Sequence, residues 1–374
     1  MPHKKHIIQD KEILANIEDA LRKTYYKNDS NDFLTTKHGR QDIEANVFDR
    51  YNRALKYTVP WVSKAIDLLG KTVVEVGCGT GSSTAAFAHF VKEIIGYDID
   101  NKSIDAAKAR INIMGLNNVA FHHVHPTNVI KKIQSNHQGG ADIILLYAIL
   151  EHQTIQERHE TLKSCWDLLK DNGILVIADT PNLLCYHDYH TSLLPFAHML
   201  PSHLYAKYVP FSPRKGFNDN FMDYNELSLE ELETKICRWG RGVSYHDFEL
   251  SIGNDYQNYI ICNGFEKEVL SYLDVSQEEE LLRLYIHQRN ELNIPDAFTR
   301  VFLNLILKKS LDNNISLPDP PENKKFTLKQ PLIECETKKM QLEQTLSEMK
   351  NSNRWKMGCL IASPYRKLRQ LFRQ

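Results

Sequence analysis

From Lys71 onward, short apolar runs alternate with longer segments whose apolar positions recur every three or four residues. The runs are strand-sized and rich in β-branched residues. They are TVVEV (72–76), EIIGYDID ending near Asp98, NVAFHHV (118–124), ADIILLYAIL (141–150) and GILVIADT (173–180). Helical spacing occupies the intervals SSTAAFAHFV (82–91), SIDAAKARINIMG (103–115) and TIQERHETLKSCWDLLK (154–170), with Gly115 as a stop for the second. Parallel neighbours need a crossover of about this length, so the rhythm predicts βαβ units. Runs apolar at successive positions bury both faces of a strand. The pattern therefore predicts an α/β fold with a mainly parallel sheet covered by helices on both sides.

The flanks are less regular. Ile13, Leu14, Ile17 and Leu21 predict a short amphipathic helix in an accessory segment, 1–47, and Phe48 to Leu69 reads as helix interrupted around Pro60. Residues 181–225 break the rhythm with aromatic, His and Pro residues. An insertion beside a carboxyl strand end predicts a lid or substrate wall. ELSLEELETKI (226–236) reads as helix and VSYHDFELSIG (243–253) as renewed alternation. NYIICNGFEKEVLSYL and SQEEELLRLYIHQRNEL suggest helical packing, and AFTRVFLNLILKK (297–309) a final strand. The core thus spans 48–310. A Pro-rich linker (311–331) leads to a helical tail (332–374), in which Leu342, Leu346, Met349 and Asn353 leave a short coiled-coil spacing.

Charge and cysteine content narrow the class. Lys and Arg number 46 against 47 Asp and Glu, which excludes a generally basic nucleic-acid binder. The balance is uneven: 350–374 holds seven basic residues and no acid, leaving −8 on the rest. Seven scattered cysteines fit a reducing compartment better than a disulfide framework. The amino terminus places acids where a secretory signal needs an apolar run, so a cytoplasmic location is expected.

The densest local signal is TVVEVGCGTGSSTAAFAHF (72–90): a strand, a loop with Gly77, Gly79 and Gly81, and a small-residue helix. Such glycines allow a turn, a close approach of ligand to backbone, and close helix packing. The GxGxG spacing is neither a dinucleotide fingerprint nor a P-loop. Glu75, just before the first glycine, would oppose a pyrophosphate and suit a cationic ligand. Asp98, at the end of the second strand, is placed to accept both ribose hydroxyl hydrogens.

With these residues the chain resembles the class I S-adenosylmethionine-dependent methyltransferases, seven-stranded Rossmann-like enzymes, over roughly 48–180 and more weakly to about 310. The resemblance implies S-adenosylmethionine as cofactor, with EVGCGTG (75–81) around its methionine part and ribose, Asp98 on the ribose and Ile99 against adenine. LYAILEHQ (146–153) is similar to the segment after strand four, ending in Leu150, Glu151 and His152. Many relatives place an adenine-binding Asp where this chain reads His125-Pro126-Thr127, leaving Thr127, Asn128 or backbone groups for that contact. Cys78 reads as a passive small residue.

Methyl transfer is an in-line displacement, so the protein must aim an acceptor lone pair and exclude water. A hydroxyl acceptor also gains from a base. CYHDYH offers His190 and His187 as bases with Asp188 alongside, the two histidines sharing a face if that piece is helical. His187, Asp188 and His190 are also metal-type residues, but such spacing is common by chance and no metal is assigned. The segment 180–201, with Asp188, His190 and Thr191 in a D-x-H-T pattern, is similar to methyltransferases found near bacterial surface-polysaccharide genes. That favours a glycan or glycosylated-intermediate hydroxyl as acceptor. The other enzyme reading is methylation of another small molecule, such as a quinone precursor, or of a lipid; the non-enzyme reading is an idle scaffold in a biosynthetic complex. In the tail, Arg354, Trp355, Lys356, Ser363, Pro364, Tyr365 and Arg366 resemble a short segment recurring in bacterial glycosyltransferases. Its basic and apolar mixture suits an anionic membrane surface or a partner enzyme, and no nucleic-acid partner is expected.

Overall fold

The computed structural model describes residues 6–8, 10–30, 34–289, 293–310, 316–321 and 329–351. The chain divides into two units, Met1–Pro321 and Glu322–Gln374.

The first unit is built on seven strands: β1 (Thr72–Val76), β2 (Glu93–Asp98), β3 (Val119–His123), β4 (Ala141–Tyr147), β5 (Leu169–Pro181), β6 (Ile260–Cys262) and β7 (Phe302–Lys308). Their order is β3-β2-β1-β4-β5-β7-β6. The first five pair in parallel, and β7 lies antiparallel to both β5 and β6. Alternate strand residues feed two cores. Val73, Ile143, Leu145 and Val176 pack with Tyr51, Trp61 and Phe87, whereas Val74, Ile144, Leu146 and Leu175 pack with Leu162, Phe248 and Phe298. This double burial is why the strands read as continuous apolar runs.

The helices follow from local chemistry. Helix α1 (Lys11–Lys23) starts at Asp10, whose side chain accepts the Glu12 amide, and it buries Ile17 and Leu21. A helical stretch, Lys37–Glu44 to Val59–Ala65, follows with π-helical turns at Ala45–Asp49 and Ala54–Thr58; Pro60 sits in the first turn of its last segment, where no amide is missed. Next come α2 (Ser82–Ala88), α3 (Asn101–Met114), α4 (Val129–Asn136) and α5 (Ile155–Leu168). Helix α3 is capped by Asp100 and ends at Gly115, with φ +66. The amino-terminal segment packs on α3 through Ile17, Leu21, Val47 and Ala106.

Three local expectations change. Residues 245–252 form a helix, not an alternating strand: the Asp247 carboxylate accepts the Ser244 amide at the start of helix α7, which follows α6 (Leu229–Trp239). Residues 260–262 form edge strand β6 within the segment read as helical, followed by helix α8 (Gln277–His287). Residues 187–190 are not helical: His187 bridges to Pro195, so the two histidines do not share a helix face.

In the second unit, helix α9 (Lys329–Asn351) exposes Leu342 and Leu346. Residues 352–374, with Arg354, Trp355 and the remaining tail positions, lie outside the described residues. No helix among the described residues is long and apolar enough to cross a membrane.

Candidate active site

The carboxyl ends of β1, β2 and β4 enclose a cleft of two adjoining cavities. One, of about 270 Å³, is lined by Asp98, Ile99, Pro126, Val129, Ile130 and Ile149. The other, of about 630 Å³, runs from Gly77, Cys78 and Gly79 to Tyr147, Asp179, His190 and Tyr272. Gly77, Asp98, Ile149 and His152 belong to both.

The glycine loop is tied to the end of β2. The Gly77 and Cys78 amides donate to the Tyr97 carbonyl, and the Gly79 amide donates to Asp98 Oδ2 at 2.8 Å. Asp98 Oδ1 accepts the Asp100 amide. Burial nevertheless raises the Asp98 carboxyl above its usual range, outweighing these amide bonds. The three glycines differ. An added Cβ would strike the Ile149 side chain from Gly77 and Ala107 of α3 from Gly81, but would meet nothing from Gly79. Gly79 therefore presents bare backbone to the cleft.

The sequence candidates separate accordingly. Gly77, Gly79, Asp98 and Ile99 line the cleft. Glu75 lies under the loop, fully buried, accepting hydroxyl bonds from Ser83 and Thr84 at the start of α2; burial lifts its carboxyl to about 7 against those bonds. Gly81 forms the cap of α2, and Leu150 is fully buried behind the wall. Thr127 is exposed, its hydroxyl paired with His125 Nδ1, while its neighbour Pro126 lines the smaller cavity. Burial pushes the Cys78 thiol well above its ordinary range, in keeping with a passive residue.

Of CYHDYH, only His190 lines the cleft. His187 packs its ring on Tyr189, and its amide donates to Glu278. Asp188 does not accompany a histidine base in the cleft. It is buried and accepts the amides of His190, Thr191 and Ser192 and the Ser192 hydroxyl. Burial alone would raise its carboxyl, but nearby His198 and these hydrogen bonds hold it below the usual value. Asp188 thus builds the turn that aims His190.

The carboxylate beside His190 is Glu151, with Oε1 3.9 Å from His190 Nε2 and 4.0 Å from His152 Nε2. Glu151 is fully buried and neither side-chain oxygen has a hydrogen-bond partner among the described residues. Burial lifts it to about 8. Burial, followed by the neighbouring His152, depresses His190 to about 4; burial also lowers His152. Both imidazoles are therefore neutral near pH 7.

Contacts between the 150, 190 and 240 segments assemble this cluster. Buried Arg158 of α5 donates to the carbonyls of Leu150, Arg241 and Gly242 and pairs with Asp247. The Arg241 amide donates to the Glu151 carbonyl at 2.8 Å. The Thr191 hydroxyl donates to the Gly240 carbonyl. At Gly240, φ is +125, and a Cβ would lie 2.6 Å from Thr191 Oγ1 and 2.8 Å from His190 Nδ1. Sequence reasoning did not assign Glu151, Arg158 or Gly240 to the site. The one available signal was the Glu151-His152 pair closing the segment after β4.

Residues 74–175, from within β1 to within β5, match the family described as Methyltransferase domain. The chain is similar to the ubiquinone biosynthesis O-methyltransferase of Aromatoleum aromaticum, 26% identical over 211 residues that cover 54% of this chain and 80% of the relative. It is also similar to that of Actinobacillus pleuropneumoniae, 29% identical over 112 residues, 30% of this chain and 47% of the relative. Among solved structures, it aligns with a Haemonchus contortus phosphoethanolamine N-methyltransferase in complex with phosphoethanolamine and S-adenosylhomocysteine. That alignment has 17% identity and a TM-score of 0.31, over 46% of this chain and 34% of the other. A methyltransferase from Clostridium acetobutylicum aligns at 14% identity and a TM-score of 0.32, over 39% and 58% respectively.

Proposed function

We propose that this S-adenosylmethionine-dependent methyltransferase, which carries a class I domain, methylates a hydroxyl of a small aromatic acceptor of the quinone-precursor kind. The cofactor is S-adenosylmethionine, which when bound supplies an electrophilic sulfonium methyl. The site fits such a ligand: Gly79 leaves open backbone at the cleft, and Asp98 stands beside it with its carboxylate partly exposed. Gly77 and Gly79 would hold the methionine part, Asp98 the ribose, and Ile99 with Pro126 and Val129 the adenine. Their work is to fix the donor so that the methyl faces the larger cavity.

The observation that carries the acceptor class is the wall of that cavity. Tyr25, Tyr147, Tyr272 and Phe302 line it together with Arg53 and neutral His190. Flat rings suit a planar aromatic acceptor, and the unprotonated imidazole can take a hydroxyl proton as the oxygen attacks. The names of the similar O-methyltransferases support the same class. The glycan reading rests on the D-x-H-T segment, in which Asp188 and Thr191 are occupied in positioning His190.

Radiolabelled methyl transfer to a panel of catechols, monophenols, nucleotide sugars and polysaccharide fragments tests this reading. Label in a phenolic fraction, alkali-stable as an aryl methyl ether, is expected. Label confined to the sugars would overturn the aromatic assignment in favour of the glycan.

A further inference from the structure

Thr80, between Gly79 and Gly81 of the glycine loop, is held from behind the cleft. Its carbonyl accepts Nε of Arg110 at 3.0 Å, and its hydroxyl donates to Asn46 Oδ1 at 3.2 Å. Arg110 stands on α3 one turn beyond Ala107, the residue that packs on Gly81. It is 1% exposed, and its remaining donors reach the carbonyls of Val47, at 3.0 Å, and Asn46. Both residues belong to the π-helical turn Ala45–Asp49, a geometry frequent at functional sites. Burial lowers the guanidinium only to about 10, so it is charged at neutral pH, and three carbonyls rather than a carboxylate satisfy it. A buried cation without a counter-ion is a costly way to fasten two segments, since apolar residues of similar volume serve as well. Asn46 is equally committed: Oδ1 also accepts from Arg50, and Nδ2 donates to the Tyr26 hydroxyl at 2.8 Å and the Asp42 carbonyl at 3.1 Å. The Tyr26 hydroxyl in turn donates to the Asp42 carboxylate.

We propose that Arg110 and Asn46 are positioning residues for the cofactor loop, and that they couple S-adenosylmethionine binding to the docking of the amino-terminal segment. Gly79 offers only backbone to a ligand, so its orientation is set by its own amide and by the peptide that follows Thr80. The amide is tied to Asp98, and the Thr80 carbonyl to Arg110. The same amino-terminal elements supply Tyr25 and Arg50 to the wall of the larger cavity. A ligand that needs both the loop and this wall favours the docked segment, and by reciprocity the docked segment favours the ligand. Neither Arg110 nor Asn46 lines either cavity, so replacing them reaches the ligand only through the loop or the segment. The coupling rests on S-adenosylmethionine as the ligand and holds for any acceptor.

The test needs neither acceptor nor methyl transfer, so its failure and that of the proposed reaction are separable. S-adenosylmethionine is titrated calorimetrically into full-length wild-type, Asn46→Ala and Arg110→Lys protein, with melting curves to show that each is folded. Lys keeps the charge but lacks the planar fork that serves three carbonyls at once. Each replacement should weaken binding by at least about tenfold. Hydrogen exchange supplies a readout that a merely structural role would not move. In the wild type, S-adenosylmethionine should slow amide exchange in α1 (Lys11–Lys23) and in Lys37–Glu44 by about tenfold or more, although neither element lines a cavity. In Asn46→Ala protein that slowing should vanish. Folded variants that bind like the wild type would overturn the positioning role. Exchange in α1 of the wild type that ignores the ligand would overturn the coupling, and this measurement decides it even if a variant does not fold. Wild-type protein that binds no S-adenosylmethionine would remove the cofactor and the coupling together.

Discussion

Replacing each loop glycine by Ala separates three physical roles that the sequence motif merges. At Gly79, φ is +52 and the new Cβ meets no atom within 4 Å. Left-handed backbone costs an L-residue about 1–2 kcal/mol. The stiffer unfolded chain returns about 0.4–1 kcal/mol. Gly79→Ala should therefore lose only about 1 kcal/mol of stability, or roughly 2 °C in a domain of this size. At Gly81 the same strain is joined by a Cβ 2.9 Å from Ala107 Cβ and 3.1 Å from its Cα, atoms of a helix that cannot swing aside. Overpacking adds about 1–3 kcal/mol, and the melting point should fall by roughly 4–8 °C. Binding should rank the other way. The Gly79 methyl projects into the cleft, so affinity for S-adenosylmethionine should drop at least about tenfold, or 1.4 kcal/mol. Calorimetric titration and thermal melts of both variants decide the matter. If Gly79→Ala binds S-adenosylmethionine like the wild type, the cofactor does not lie against this backbone. If Gly81→Ala melts with Gly79→Ala, the packing argument is wrong.

Glu75 is raised from 4.5 to about 7 by burial, so its neutral form is favoured by folding. That contribution is complete below about pH 4.5 and is lost as pH rises through 7, so Glu75→Gln should gain on the wild type by about 3 kcal/mol across this window. Urea unfolding at pH 4.5 and 7.5 checks it, and parallel profiles would refute it. His190→Ala should lower turnover by about 10²–10⁴-fold with S-adenosylmethionine affinity retained, whereas His187→Ala, outside the cleft, should stay near wild type; steady-state kinetics with a phenolic acceptor distinguishes them. A chain ending at Pro321 should still bind S-adenosylmethionine yet lose salt-sensitive co-sedimentation with anionic vesicles, and equal, negligible binding by full-length and shortened protein would remove the membrane role from the tail.

What the sequence determined by itself was local. Doubly buried strands leave continuous apolar runs, crossover helices leave a three-to-four spacing, and the turn after β1 demands positive φ at Gly77, Gly79 and Gly81. Each follows from a few neighbouring residues, so the five parallel strands, the glycine loop and Asp98 at a strand end were legible. Helix 245–252 was not, because Phe248, Leu250 and Ile252 at alternate positions mimic a strand, whereas the Asp247 carboxylate accepting the Ser244 amide marks a helix start. The site depended on distant contacts. Asp188 is two residues from His190, but its oxygens turn to backbone amides, and the carboxylate at the imidazole comes from Glu151 across the fold. That meeting needs Arg158 to gather the 150 and 240 segments and Gly240 to admit Thr191 at 2.8 Å. Periodicity decides which residues face inward, whereas which inward-facing groups touch is set by how the chain closes on itself, and only the tertiary structure decided that.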